Sequence, residues 1–499
     1  MYLWLFACAL TLIWWFWRPL YWTGSGLKYV TPYPVVGSCL KLITSGNSAF
    51  TEYLYNLYPE EKIFGIHFFW RPTLIIRDFD TITDVMVRDF DHFTSNTLPS
   101  NQEYDMTGGN LLFLHGMQWK EMRNKISPFF TPAKVKAMLA SVDVSMPKAV
   151  DVLENSLKTD EPLDVGNLLT QITVDVITQA CFGIESDSFE ENSKFRPLAT
   201  IFFSPMAYFM LTIKQTSRTL FKYLRLQSFD LESSLFVKKI TRDLVEHRRK
   251  NNARGNDFVQ GIIEIMDQEQ LKKNSADGKI QYFPDGTRKP KYDFDELFLQ
   301  ALIVFIGGVE TTATTMTWLF YELAHNQDIQ DACREEILDV VRKTGRPVGL
   351  ESQNEIPTVT GAINEALRLH PAFPFNGRVC TKTYKFRNVD LTIEPGQSVL
   401  FPLAPLQKDP NFFSDPNTFD PQRWRHEKPS MITAFGLGPR QCLGKSFSMQ
   451  EMILVVARLL QNYKFTLHPN TPIPPPVHKT KLASSPEKPI MFNISRVEK

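Results

Sequence analysis

The sequence predicts a mainly α protein with a minor β portion, set behind a single N-terminal transmembrane helix. Three observations carry this. Helical apolar spacing dominates from Trp119 onward and culminates in one long stretch, Asp293 to His325, whose middle is nearly uncharged. Short β signals are confined to a pair of runs near residue 63 and to the segments after Pro371. Tyr2 to Trp17 are apolar apart from Thr11, and after Arg18-Pro19 the run ends with Leu20, Tyr21 and Trp22.

That N-terminal run sets the domain plan. About 20 residues at ~1.5 Å each just cross a ~30 Å hydrocarbon core, with Arg18 snorkelling at its edge. Trp4, Trp14, Trp15, Trp17 and Trp22 suit the aromatic belts. A cleaved signal peptide fits less well. No basic residue precedes the run, and cleavage after Ala7-Cys8-Ala9 leaves a strongly apolar new terminus. Residues 1–22 are therefore expected to be the anchor, 23–38 a proline-containing hinge, and 39–499 one catalytic body. Arg18 and Lys28 follow the run, which places that body on the cytosolic side.

Composition narrows the partners. A net charge of +1 gives no basic excess for a nucleic acid, and 38 phenylalanines among 43% hydrophobic residues supply a large core. The six cysteines (Cys8, Cys39, Cys181, Cys333, Cys380, Cys442) are scattered, with neither disulfide pairing nor zinc-ligand spacing.

In chain order, Thr31 to Gly37 is a proline-stiffened link. Ile63–Phe68 and Thr73–Arg77 read as strands about a turn at Trp70-Arg71-Pro72. Asp80 to Phe90 reads as a helix, and Thr94 to Met117 as a loop around Gly108-Gly109. Helices are predicted over Pro132–Leu157, Asn167–Phe182 and Leu231–Lys250. The aromatic segment Ser188–Leu226 is either core or, around residues 201–210, a second contact with lipid. Gln268 to Lys291 is polar and interrupted by Gly278, Pro284, Gly286 and Pro290, as an exposed loop is. Within Asp293–His325, one acid, Glu310, stands beside Gly307-Gly308 and Thr311-Thr312. Glycines inside a helix cost about 1 kcal/mol each, so the pair marks a close approach or a bend. Arg378 to Val399 is strand-like, Pro402 to Pro429 irregular, and Tyr463 to Val497 short strands and turns.

The chemistry gathers at Phe435-Gly436-Leu437-Gly438-Pro439-Arg440-Gln441-Cys442-Leu443-Gly444. Three glycines and a proline in ten residues describe a tight loop that presents one thiol. A helical pattern begins at Lys445, so Cys442 sits at a helix N-terminus, where amide donors favour a thiolate and Arg440 adds a cation. Such a thiolate can be a nucleophile, a metal ligand or a haem ligand. No histidine lies within fifteen residues of it to act as a base, and no further cysteines or histidines cluster as metal ligands.

These ten residues resemble, position by position, the haem-binding signature of the cytochrome P450 family. Glu365-Ala366-Leu367-Arg368 is similar to that family's Glu-x-x-Arg helix. Phe419 to Trp424 is similar to the segment that supplies its third partner, here Arg423; Trp424 replaces the more usual Phe, and Gln422 a common acid. The resemblance implies that Glu365, Arg368 and Arg423 hold the fold beneath the haem. Trp119-Lys120-Glu121-Met122-Arg123 resembles the haem-contacting helix. Trp119, Arg123, Arg378 and Arg440 are thereby expected at the haem propionates, and Phe435, Gly436, Gly438 and Gly444 around the cysteine.

Gly307 to Thr312 resembles the oxygen-activating segment, with Thr311 and Glu310 as the proton-delivering pair and both glycines leaving room for oxygen. By match to the family's substrate-recognition stretches, the pocket wall is expected from the Thr94–Met117 loop, Phe202-Phe203, Phe305-Ile306, and Ala372-Phe373 with Leu482-Ala483. The resemblance thus implies a monooxygenase with haem b on the Cys442 thiolate, acting on a small lipophilic substrate, xenobiotic or endogenous. Since the chain contains no nucleotide-binding or flavin segment, electrons from NADPH must come through a separate reductase. It would dock near Cys442 on the charge of Arg440 and Lys445, with cytochrome b5 as a second admissible donor. The expected setting is the endoplasmic reticulum membrane; Ser127-Pro128-Phe129-Phe130-Thr131, the loop before Asp293 and the hinge resemble the animal xenobiotic-metabolising branch, in particular its insect members. Two rivals share the fold: a haem-thiolate isomerase or dehydratase, against which Glu310-Thr311 argues, and a non-catalytic haem sensor.

Overall fold

The computed structural model describes residues 21–34, 36–273, 282–284, 286–426 and 433–497. Most of the expected anchor, residues 1–20, and part of the polar loop before Asp293 lie outside them. The long helices are α1 (Leu40–Leu57), α2 (Gly116–Ile126), α3 (Ala140–Thr159), α4 (Val165–Phe182), α5 (Pro205–Thr216), α6 (Leu231–Asn251), α7 (Phe258–Lys273), α8 (Phe294–His325), α9 (Gln327–Thr344), α10 (Pro357–Leu369) and α11 (Lys445–Asn462).

Helix α8 is the axis of the core. Asp293 caps it by accepting from the Glu296 amide, and its apolar residues are buried on nearly every side. It packs most extensively on α4 and also against α10 and α11. By length and composition it is the one helix among the described residues able to cross a membrane, but its burial inside the protein makes it a core helix.

The β portion forms two main sheets. Strands β1 (Ile63–Phe68) and β2 (Arg71–Ile76) are antiparallel; β2 runs parallel to β4 (Ser398–Phe401), which pairs antiparallel with β3 (Asn376–Val379), in the order β1-β2-β4-β3. β5 (Tyr463–Leu467) and β6 (Met491–Arg496) pair antiparallel near the C-terminus. The β1–β2 turn falls at Phe69-Trp70, with Phe69 at φ 53°, so Arg71 and Pro72 belong to the strand and not to the turn.

Several boundaries differ from expectation. Pro132–Leu157 is two helices, separated at Leu139, whose ψ of −9° departs from helical values. Asp80–Phe90 breaks into a short α-turn, a widened π-turn (Asp84–Arg88) and a 3₁₀ turn. The hinge is packed on the body: the Val30 amide donates to the Gly65 carbonyl, and Ser38 to His67, along the edge of β1. Trp22, expected at a membrane interface, is instead 4% exposed and lies over Gly65 in the sheet core.

Candidate active site

The Phe435–Gly444 loop folds back on itself through the Cys442 amide, which donates to the Phe435 carbonyl at 2.8 Å. Gly436 and Gly438 take φ of +73° and +68°, which other residues adopt at a cost. Gly438 has a second reason: a Cβ there would stand 1.9 Å from the Met86 carbonyl oxygen of the π-turn. Gly444 is different. Its φ is −83° and a Cβ would meet nothing within 4 Å, so backbone geometry does not require glycine there.

Helix α11 begins at Lys445, as the apolar spacing predicts. Cys442 has accessible surface, yet its thiol is desolvated by surrounding protein, so it faces an interior recess. Burial pushes the thiol pKa up, against the amides of Gly444 and Lys445 and the charges of Arg123 and Lys445, which favour the thiolate. Arg440 is not among those stabilisers, contrary to expectation. It points inward, donating to the carbonyls of Thr94 (2.7 Å) and Leu114 (2.5 Å), with its guanidinium 4.3 Å over the Trp119 ring. Nor does it present charge to a partner, whereas Lys445 is exposed.

Arg123, Arg378 and Arg440 converge. Burial lowers the Arg440 pKa well below its usual range, and the charges of Arg378 and Arg123 lower it further. Arg378, on β3, is fully buried, and burial brings its pKa down to about 10. One of its nitrogens reaches the Asn376 side chain and the Gly377 carbonyl; Nε and Nη2 have no partner among the described residues. Crowded, desolvated cations with unmatched donors call for an anionic group. A desolvated thiol met by two amides and Arg123, beside an anion-demanding arginine cluster and with open space at Gly307 and Gly444, fits a dianionic porphyrin held through one cysteine sulfur.

On α10, Glu365 is fully buried and charge-matched. Arg368 grips it with two nitrogens at 2.9 and 2.6 Å, Arg423 approaches at 3.4 Å, and the Asp420 amide donates at 3.1 Å. Trp424 contributes a bond that sequence reasoning missed: its indole Nε1 donates to Glu365 at 2.9 Å. Arg368 also donates to the carbonyls of Gln407, Pro416 and Thr418, fixing the irregular chain around α10. The Gln407 side chain in turn accepts from the Thr433 amide at the root of the cysteine loop.

On α8, Gly307 has open space at its Cβ position, whereas a Cβ on Gly308 would lie 2.7 Å from Ile177 of α4. Gly308 therefore serves helix packing and not room for oxygen. The Thr311 hydroxyl donates to the Gly307 carbonyl at 2.6 Å, which leaves its oxygen able to accept. Glu310 is buried, with Lys481 at 3.8 Å; burial raises its pKa, and Lys481 counters. Thr312 shares a hydroxyl contact of 3.1 Å with Ser448 of α11, tying the two helices together.

The expected pocket residues separate. Phe305 is buried with its ring against Phe182, and Phe202 pairs edge-on with Phe229; Phe203 and Ile306 are buried in the same core. The Ala372 carbonyl accepts from the Ser484 amide at 2.9 Å, joining that turn to the Leu482-Ala483 turn, while Phe373 lies at the surface. A cavity of about 360 Å³ opens beside the N-terminal end of α8; Gln102, Met106, Gly109 and Leu114 of the predicted loop line it, with Phe298 and Leu299.

The sequence profile of the cytochrome P450 family matches residues 27–494. The chain is 29% identical to "Probable cytochrome P450 6a14" of Drosophila melanogaster over 496 residues, covering 96% of this chain and 95% of that protein. It is 30% identical to "Probable cytochrome P450 6a13" of the same fly (92% and 91%) and 29% identical to "Cytochrome P450 6k1" of Blattella germanica (92% and 89%). With a thiol loop, an arginine cluster and a buried Glu-Arg pair in one fold, and a match over nearly its whole length, this chain belongs to the cytochrome P450 family and is a haem-thiolate monooxygenase.

Proposed function

We propose that this protein inserts one atom of O2 into a small lipophilic substrate, with electrons drawn from NADPH through a separate flavoprotein reductase. The observation that carries this is the Cys442 thiol, approached by two backbone amides and Arg123, beside buried arginines with unmatched donors. Haem b, when bound, supplies the oxygen-activating chemistry that no side chain can.

The protein's own part is to hold and to deliver. Cys442 would supply the sulfur that holds the haem iron, and the Gly444 and Lys445 amides oppose the burial that disfavours its thiolate. Arg123 and Arg378 would hold the propionates, Trp119 supports Arg440, and Arg440 fixes the neighbouring loop. Glu310 carries protons from the solvent side to the Thr311 hydroxyl, which orients them toward the recess. The loop 94–117 and the turns at Ala372 and Leu482 are assigned to the substrate wall; the cavity that the loop lines sets Met106, Leu114, Phe298 and Leu299 beside polar Gln102, Gln118 and Glu296.

Localisation at the endoplasmic reticulum membrane, catalytic body cytosolic, is supported by the apolar run at Tyr2–Trp17. Met206 (62% exposed), Phe209 (55%), Tyr223 and Leu224 are further exposed apolar side chains suited to lipid. Lys445 offers charge for the reductase.

The test is the optical spectrum of the reduced, CO-bound protein. A red-shifted Soret band, lost in Cys442→Ala, is expected; an unshifted band would overturn the ligand assignment. NADPH consumption and product formation that require added reductase then separate a monooxygenase from an isomerase or a sensor.

A further inference from the structure

The acid on α8 is tied to α1 and α5 by a chain of polar contacts. Glu310 Oε1 lies 3.8 Å from Lys481 Nζ. Lys481 is the one charged group acting on Glu310 among the described residues. It belongs to the turn that bears Leu482 and Ala483, and that turn is clamped to α1. Gly46 (φ +82°) lets the chain pass so close that a Cβ would meet the Lys479 backbone at 2.7 Å. Asn47 donates its side-chain nitrogen to the Lys481 carbonyl at 3.3 Å, and Ser48 and Ser484 share a hydroxyl contact of 3.2 Å. Asn47 then accepts from the Tyr208 hydroxyl of α5 at 3.1 Å. Tyr208 stands between Met206 and Phe209, the exposed apolar residues of that helix.

We propose that Lys481 is a positioning residue for Glu310, and that Tyr208 and Asn47 set its place, so that the position of α5 biases proton delivery. This rests on the reading of Glu310 as the proton relay. The physical argument is one of distance. At 3.8 Å the pair attracts without a short, fixed hydrogen bond, and in a desolvated setting a small shift of Lys481 changes the attraction substantially. Asn47 holds the backbone of the residue whose side chain faces Glu310. Displacing Tyr208 therefore loosens one of the two side-chain clamps on that turn. The proton that Glu310 takes up comes from solvent and leaves when the carboxylate re-forms; Lys481 keeps its own.

The experiment uses the full-length, haem-loaded ferric protein without turnover. The protonated-carboxyl stretch of Glu310, identified by its disappearance in Glu310→Gln, is titrated by infrared difference spectroscopy. Lys481→Met is expected to move the midpoint to higher pH by at least half a unit, and Lys481→Arg to restore it. Tyr208→Phe should move it the same way by less, and Tyr208→Phe with Lys481→Met no further than Lys481→Met alone. An unchanged midpoint in Lys481→Met, with the protein folded by thermal melting, overturns the proposal; additive shifts overturn the role of Tyr208. The underlying reading fails separately: if Glu310→Gln leaves product formed per NADPH unchanged, Glu310 is not the relay, whatever Lys481 does to its titration.

Discussion

The indole of Trp424 donates to the same carboxylate, Glu365, that Arg368 grips from one turn away on α10. Glu365 thereby gathers two guanidinium groups, an indole and a backbone amide in the protein interior. Trp424→Phe keeps the ring packing and removes one hydrogen bond to a charged acceptor, at a cost of about 1.5–3 kcal/mol. Glu365→Gln leaves two buried guanidinium groups without their counter-charge and costs more, about 3–5 kcal/mol. Urea unfolding of the haem-loaded protein measures both. Equal losses for the two variants would mean that the indole matters as much as the charge.

Arg378 should show opposite effects with and without the cofactor. Two of its nitrogens are buried without partners. Arg378→Met should leave the apoprotein as stable or more stable, since it removes desolvated, unmatched donors. The same change should lower haem occupancy several-fold, read from the Soret absorbance per protein after reconstitution. A loss of apoprotein stability beyond about 1 kcal/mol would contradict the account of an anion-demanding cluster.

The neighbouring glycines of α8 should behave differently. Gly307→Ala adds a methyl group to open space and gains helix propensity, so stability holds or rises by up to about 1 kcal/mol. Gly308→Ala drives a methyl group into Ile177 and should lose about 1–3 kcal/mol. Ile177→Ala combined with Gly308→Ala should recover part of that loss. Thermal melts of the four proteins decide it.

Glu451, on α11, gives a pH signature. It is fully buried, neither oxygen has a partner among the described residues, and burial raises its pKa well above the usual carboxylate range. Because the folded state holds this proton to higher pH than the unfolded state, its contribution to stability is full below pH 4.5. That contribution falls as pH rises toward the elevated folded value. Glu451→Gln should therefore be nearly neutral at pH 5 and stabilising by roughly 1–3 kcal/mol at pH 8. Chemical denaturation at the two pH values tests the slope, and a gain independent of pH would exclude ionisation as its source.

What the sequence made legible was local. The Phe435–Gly444 loop, the helix after it and α8 are written in contiguous glycine placement, apolar period and capping, each readable without a partner. Helix α1 was missed because Gly46 interrupts it, and that glycine is explained only by the Lys479 backbone more than four hundred residues away. Arg440 was expected beside the thiolate from its two-residue spacing. Its direction is set by the carbonyls of Thr94 and Leu114, and spacing along the chain says nothing about them. Gly308 and Gly307 look alike as neighbours in sequence. Only the packing of Ile177 tells a helix contact from open space.

The inward turn of Arg440 has a consequence for how such a protein can change. Its guanidinium fastens both ends of the segment between Thr94 and Leu114, while the buried Asp105–Lys214 pair and the Gln300 side chain fasten its middle. The ends of the segment are held through backbone carbonyls, which any residue supplies, so side chains at Thr94 and Leu114 can be exchanged without loosening Arg440, whereas Asp105 cannot be exchanged without leaving Lys214 buried and unpaired.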